Sequence, residues 1–311
     1  MTQASDAPQA TESDGTARRP TVAWPSVRAL VLEVGVCVAC VAAAMTWFRW
    51  WTVLPAMVVV ATRQHALFIL YHDAVHGLVA RRRRLNDLII NVTAGIPMLL
   101  PVHSYRRFHM SHHATLGTEN DTERVLLYRF QPWRYRPLPT GKLLLQLLGD
   151  LLLVNQALTG LALLLEERKP DSRLRLPKSS PFPETFALQA LFFGGLAAWG
   201  YLDLAGLGRF ALLWFVPLVT LTMAIQKVRS FAEHADLDAP ELTYSWRPGW
   251  LGRLVLWPYN IGYHREHHRR PNIPWYELPT AFPDVEQRPG HTLGALMWDR
   301  GGGSRAADPG A

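Results

Sequence analysis

The stretch WTVLPAMVVVATRQHALFILYHDAVH, residues 51–76, begins as a membrane span and ends as a histidine pair. Residues 51–71 are mostly apolar, and about 20 such residues form a helix long enough to cross the ~30 Å hydrocarbon core of a bilayer. His72 and His76 follow, four residues apart, so that a continuing helix presents both imidazoles on one face. A span that delivers paired imidazoles at its end sets the theme for the rest of the chain.

Apolar runs recur at 27–48, 85–102, 143–165, 186–205 and 209–228. With 51–71, four of the six read as spans. The run 85–102 is short and broken by Asn91, Gly95 and Pro97, and 143–165 carries Asp150, Asn155 and Gln156, so both read as interfacial or re-entrant helices. The four spans pair into two hairpins with tight outer turns, one at Arg49 and Trp50 and one at Gly206–Gly208, and each turn carries one arginine. The opposite side receives Arg18, Arg19, Arg28, the run 81–84, Arg106, Arg107, Arg168, Lys169, Arg229, Arg265, Arg269 and Arg270. By the positive-inside rule that side, with both chain ends, is cytoplasmic. The expected fold is all-α and integral to the membrane: four transmembrane helices in two hairpins, interfacial helices, and a cytoplasmic histidine-rich cap holding a di-metal site.

Composition agrees. Of 311 residues 49% are hydrophobic and 18% charged, below the roughly 25% charge of a soluble domain. Mean hydropathy is only +0.02 because charge gathers between the spans and at the ends. The net charge of +7 suits anionic lipid heads or an acidic partner. The tetra-arginine run 81–84 resembles a nucleic-acid patch, but at the end of a span it reads as a topology and headgroup signal, so no nucleic acid is expected. Trp50, Trp51, Trp199, Trp257 and Trp275 read as interfacial anchors. Cys37 and Cys40, the only cysteines, lie inside the first span and support neither a disulfide framework nor a thiolate metal site. Residues 1–23 read as a disordered tail, 24–283 as the membrane domain and 284–311 as a flexible tail.

Twelve histidines are present and eight fall in three clusters on the cytoplasmic side: His72 and His76; His109, His112 and His113; His264, His267 and His268. One HxxxH near a membrane is more often structural than metal-binding. Three clusters on one side, two of them HxxHH, favour metal. Imidazole alone suits zinc, copper, iron or nickel, and eight ligands exceed the four of a closed zinc site, which implies two metals. His65, two turns before His72, points toward the site from too far to ligate; His103 and His291 read as surface residues. Asp73, Asp121, Glu233, Glu266 and the amide of Asn260 are placed to orient ligating imidazoles, although solvated surface serves each equally well.

The boxes HDAVH, HMSHH and HREHH, with YRRFH leading into the second (105–109), RSFAEH after the last span (229–234), NIGYH leading into the third (260–264) and PWYELP at 274–279, resemble the membrane fatty acid desaturase and hydroxylase superfamily over about residues 30–283. The resemblance implies two iron ions, four spans, a cytoplasmic metal cap, and His234 as a ninth ligand beside the eight clustered histidines. It implies O2 as oxidant, a lipid acyl chain or other hydrophobic substrate, and a bacterial inner membrane. One departure is Ser230, where acyl-CoA desaturases carry an asparagine; with the HxxxH spacing of the first box it points to the acyl-lipid, carotenoid or sphingolipid side. No fused cytochrome, iron–sulfur or Rossmann signature is present, so a separate ferredoxin-like donor is expected. The leading expectation is desaturation of a fatty acyl chain. A hydroxylase or ketolase of a carotenoid or sphingolipid is the alternative, since HDAVHG is similar to a ketolase first box while RSFAEH fits desaturases better. A metal transporter is the non-enzyme alternative, disfavoured because the clusters sit at span ends and not at mid-membrane depth.

Overall fold

A computed structural model describes residues 20–118, 121–122, 140–167, 180–234 and 243–285. The described elements are helical, and the one β contact among them is an isolated bridge between Val22 and Ala80. The long helices are α1 (Trp24–Thr46), α2 (Trp50–Val75) and α7 (Pro183–Leu202), with α8 (Leu204–Pro217) and α9 (Met223–His234) joined end to end. Shorter ones are α3 (Arg83–Ile90), α4 (Val102–Thr115), α5 (Thr140–Leu151), α6 (Val154–Glu167), α10 (Trp250–Val255), α11 (His264–Arg269) and α12 (Leu278–Ala281).

Four helices are long and apolar enough to cross a membrane: α1, α2, α7 and the 31-residue rod Leu204–His234. They are the four that the apolar runs foretell, and the protein is integral to the membrane. The first hairpin turns at Trp47–Arg49, where Thr52 accepts the Arg49 backbone N–H. The second turns at Asp203, three residues before the expected Gly206–Gly208. The Asp203 carboxylate caps α8 by accepting the Gly206 N–H at 2.9 Å, and a Cβ at Gly206 would collide with that carboxylate. From α8, the Arg209 guanidinium lies 5.0 Å over the ring of Phe48 in the first turn and ties the two turns together.

Neither doubtful run spans. Residues 85–102 fold as α3, a π turn at Asn91–Gly95 and a reversal in which Asn91 accepts the Val102 N–H. Residues 143–165 break between α5 and α6 at Leu153, whose φ is 63°. At 12 and 14 residues, α5 and α6 are about 18 and 21 Å long, short of a bilayer. A buried ion pair between Asp150 and Lys227 fastens α5 to α9.

Pro217 cannot donate to the turn before it, and the rod passes through a π turn at Leu218–Thr222. Side chains from neighbouring helices bond the carbonyls around this irregularity: Gln64 donates to Trp214 O at 2.8 Å and Gln156 to Val219 O at 3.0 Å. Beyond it the helix continues to His234 without a break, six residues past the end of the apolar run.

Two tryptophans assigned to the membrane interface lie elsewhere. Trp257 is buried and stacks on Trp246, and the half-buried Trp275 donates from Nε1 to Ser26 and packs edge-on against Tyr259. Trp50 and Trp51 are exposed as expected. The preceding stretch pairs before α1 begins, with Ala23 N–H donating to Val79 O at 2.9 Å.

Candidate metal centre

The cytoplasmic assignment aside, one end of the helix bundle collects the histidines. His72 lies in the last turn of α2 and His76 caps it; His109, His112 and His113 line α4; His234 ends α9; His264, His267 and His268 occupy α11. Spacings of three and four residues place each set on one helix face, and packing of α4 and α11 over the ends of α2 and α9 turns those faces inward.

The rings form two groups. His72, His76, His109, His113 and His267 bring five nitrogens within 4.8 Å of one another. His112, His234 and His268 form a second such set, and His234 and His264 form another with Glu233. His112, His234, His264 and His268 therefore make a four-histidine half. The halves adjoin: the His113 ring stacks at 4.2 Å on that of His268.

Within each half the nitrogens face one another. Nε2 of His109 lies 3.0 Å from that of His76 and 2.9 Å from that of His113; Nε2 of His264 lies 2.8 Å from that of His234 and 3.1 Å from that of His268. Ligands about 2.1 Å from one ion and at right angles to each other lie roughly 3 Å apart, so these separations fit a shared cation. Both ring nitrogens of His72 are buried without a hydrogen-bond partner. An unsatisfied buried polar group costs about 1–3 kcal/mol, a penalty that ligation removes.

Electrostatics keep the rings ready. Burial holds His76 neutral with its pKa lowered to about 4, helped by nearby Arg106. His109, His113, His264, His267 and His268 are likewise pushed below the ordinary histidine value, first by burial and then by the neighbouring imidazoles. Neutral imidazole is the form that binds a metal.

Two of the five groups read as orienters touch histidines. Asp121 hydrogen-bonds Nδ1 of His112 at 2.8 Å, and Glu233, itself held by Arg229, lies 3.5 Å from Nδ1 of His264 without a hydrogen bond to it. The others tie loops. Asp73 accepts the Trp275 backbone N–H at 2.9 Å, Asn260 donates to Trp275 O at 3.0 Å, and Glu266 takes Ser245 and Arg265. His65 bonds Leu256 O at 3.0 Å, a structural tie between α2 and the segment after α10. His103 stays partly exposed beside Ser104, and His291 lies outside the described residues.

Sequence reasoning missed two groups at the centre. Tyr105 stacks at 17° on His109, and Arg106, counted above only as a topology charge, is buried against Asp87. Both stand in YRRFH, where the position one turn before His109 was the available signal.

Residues 48–300 match the family model described as fatty acid desaturase. The chain is 26% identical over 275 residues to a dihydrorhizobitoxine desaturase of Bradyrhizobium elkanii, covering 86% of this chain and 76% of that protein. It is 25% identical over 301 residues to an sn-1 oleoyl-lipid 12-desaturase of a Picosynechococcus species, covering 88% and 79%. It is 26% identical over 242 residues to an sn-1 acyl-lipid omega-3 desaturase (ferredoxin) of a Nostoc species, covering 71% and 64%.

Proposed function

The chain belongs to the fatty acid desaturase family, and on that premise we propose that it is an oxygen-dependent di-iron desaturase acting on a fatty acyl chain of a membrane lipid. The observation that carries the reading is the convergence of nine histidines at one end of four spans in two adjoining groups. The metal ligands in this reading are His72, His76, His109, His113 and His267 for one iron, and His112, His234, His264 and His268 for the other. The residues fit such ions in donor type, neutral charge state and mutual spacing.

When bound, the irons supply the activation of O2 and the oxidising power that removes hydrogen from an unactivated carbon. The protein's part is to hold nine imidazoles together at one end of the spans and to fix the tautomer of His112 through Asp121, with the Glu233 carboxylate close to His264. Desaturation takes up O2, two electrons and two protons, removes two hydrogens from the chain and releases two waters. The electrons come from a separate ferredoxin-like carrier, which the exposed Arg81, Arg82, Arg269 and Arg270 would attract if it is acidic. These arginines and the site face the cytoplasm of a bacterial inner membrane by the positive-inside rule, with both termini on that side. Residues 24–283 form the catalytic domain and 1–23 and 284–311 its tails.

Lipid mass spectrometry of a bacterial host tests the proposal, comparing wild type with His72→Ala. Acyl chains lighter by two hydrogens only with wild type support desaturation. Chains heavier by one oxygen would make the protein a hydroxylase, and unchanged lipids with tightly bound zinc would end the oxidative reading.

A further inference from the structure

The end of α2, closed by backbone bonds from the Gly77 N–H to Ala74 O at 3.0 Å and from the Leu78 N–H to Asp73 O at 3.1 Å, is also held by a side chain from another helix. Arg106 of α4 donates from Nε to Val75 O at 2.9 Å and from Nη2 to Ala74 O at 3.0 Å. These carbonyls lie between His72 and His76, in the last turn of α2, and Ala74 O takes the Gly77 N–H as well. Asp87 of α3 accepts the rest of the fork, Oδ2 from Nη1 at 2.9 Å and Oδ1 from Nη2 at 2.6 Å. Asn86 closes the arrangement by donating to Ala74 O at 2.8 Å and accepting the Val79 N–H at 3.2 Å. All three side chains are buried.

A buried ion pair is an expensive way to hold two helices together, since apolar packing of equal volume serves stability as well or better. What the planar fork adds is a fixed direction: two carbonyls and two carboxylate oxygens are met at once, which one ammonium or an alkyl chain cannot reproduce. The fork lies one helical turn from His109. It therefore fixes how the end of α2 sits against α4.

That relation matters unequally to the two halves of the centre. The five-histidine half takes His72 and His76 from α2 and His109 and His113 from α4; the four-histidine half takes nothing from α2. We propose that Arg106, braced by Asp87, is a positioning residue that registers α2 against α4 and so assembles the five-histidine half selectively. The inference rests on the di-metal reading above.

The test loads the full-length protein in detergent with 57Fe and compares wild type, Arg106→Lys, and the double variant Asp87→Asn with Arg106→Gln, which leaves no buried charge unpaired. Iron per chain is measured together with Mössbauer spectra and helix content. Wild type should hold about two irons, and both variants about one, with one spectral component lost and helix content kept. Adding His234→Ala to either variant should then remove the remaining iron. Retention of both components, or loss of both in step with helix content, would overturn the positioning role. A wild type without iron would instead overturn the di-metal reading and leave Arg106 a helix clip.

Discussion

The half of the centre made by His72, His76, His109, His113 and His267 draws four of its five imidazoles from two helices clipped together through the backbone by Arg106. The half made by His112, His234, His264 and His268 gathers its rings from three helices; Asp121 hydrogen-bonds His112, and the Glu233 carboxylate lies 3.5 Å from His264. One half has its scaffold clipped together, and the other has carboxylates beside the rings themselves. The difference teaches that similar HxxHH boxes need not be held in similar ways. His112 and His113 are adjacent in sequence, yet they serve opposite halves.

The largest effects should come from removing one ring from each half. His267→Ala and His234→Ala should both abolish product in the host-lipid assay, and each should lower iron by about one per chain, because each half loses a ligand the other cannot lend. Normal iron and product in His234→Ala would reduce the second half to three histidines and break the comparison.

Smaller losses should separate the supports. Glu233→Gln should weaken metal retention by about 10- to 100-fold in a chelator titration, the usual effect of removing a partner of a ligating histidine. Asp73→Asn should leave retention unchanged, since Asp73 bonds the Trp275 backbone. Equal losses in both variants would remove the claim that the carboxylates act selectively.

Acid should expose the cost of keeping the rings neutral. The His76 pKa is lowered from 6.5 to about 4 in the fold, so the unfolded chain takes up its proton first. Stability of the metal-stripped protein is therefore complete above about pH 6.5 and falls as pH drops toward 4. Thermal unfolding of chelator-treated protein should show that slope, and His76→Gln should reduce it by the share of one histidine, the other lowered imidazoles keeping the rest. The smallest effect is expected at His103→Ala, outside both halves, where stability should change by less than about 0.5 kcal/mol and lipid products should stay as in wild type.

How much of this was legible follows from the range of each interaction. The spans were readable because bilayer thickness sets a length in apolar residues, and 85–102 was too short and broken while 143–165 was interrupted by Asp150, Asn155 and Gln156. The boxes were readable because helix periodicity turns spacing into a shared face. The exact turn at Asp203 was not, because the cap is a single hydrogen bond to Gly206 that glycine positions alone do not locate. The packed positions of the buried Trp257 and the half-buried Trp275 were likewise hidden, since an amphipathic ring suits a membrane interface and a packed core alike.

The sequence by itself determined that four helices are apolar and long enough to cross a membrane and that eight histidines fall in three clusters with helical spacing, because both are properties of residues near one another along the chain. Only the tertiary structure decided which histidine joins which half, that Asp121 and Glu233 face imidazoles while Asp73 and Glu266 do not, and that Arg106 clips α2 to α4. Those relations join residues 9 to 33 positions apart or more across different helices, and side-chain direction at such contacts is set by how the helices pack.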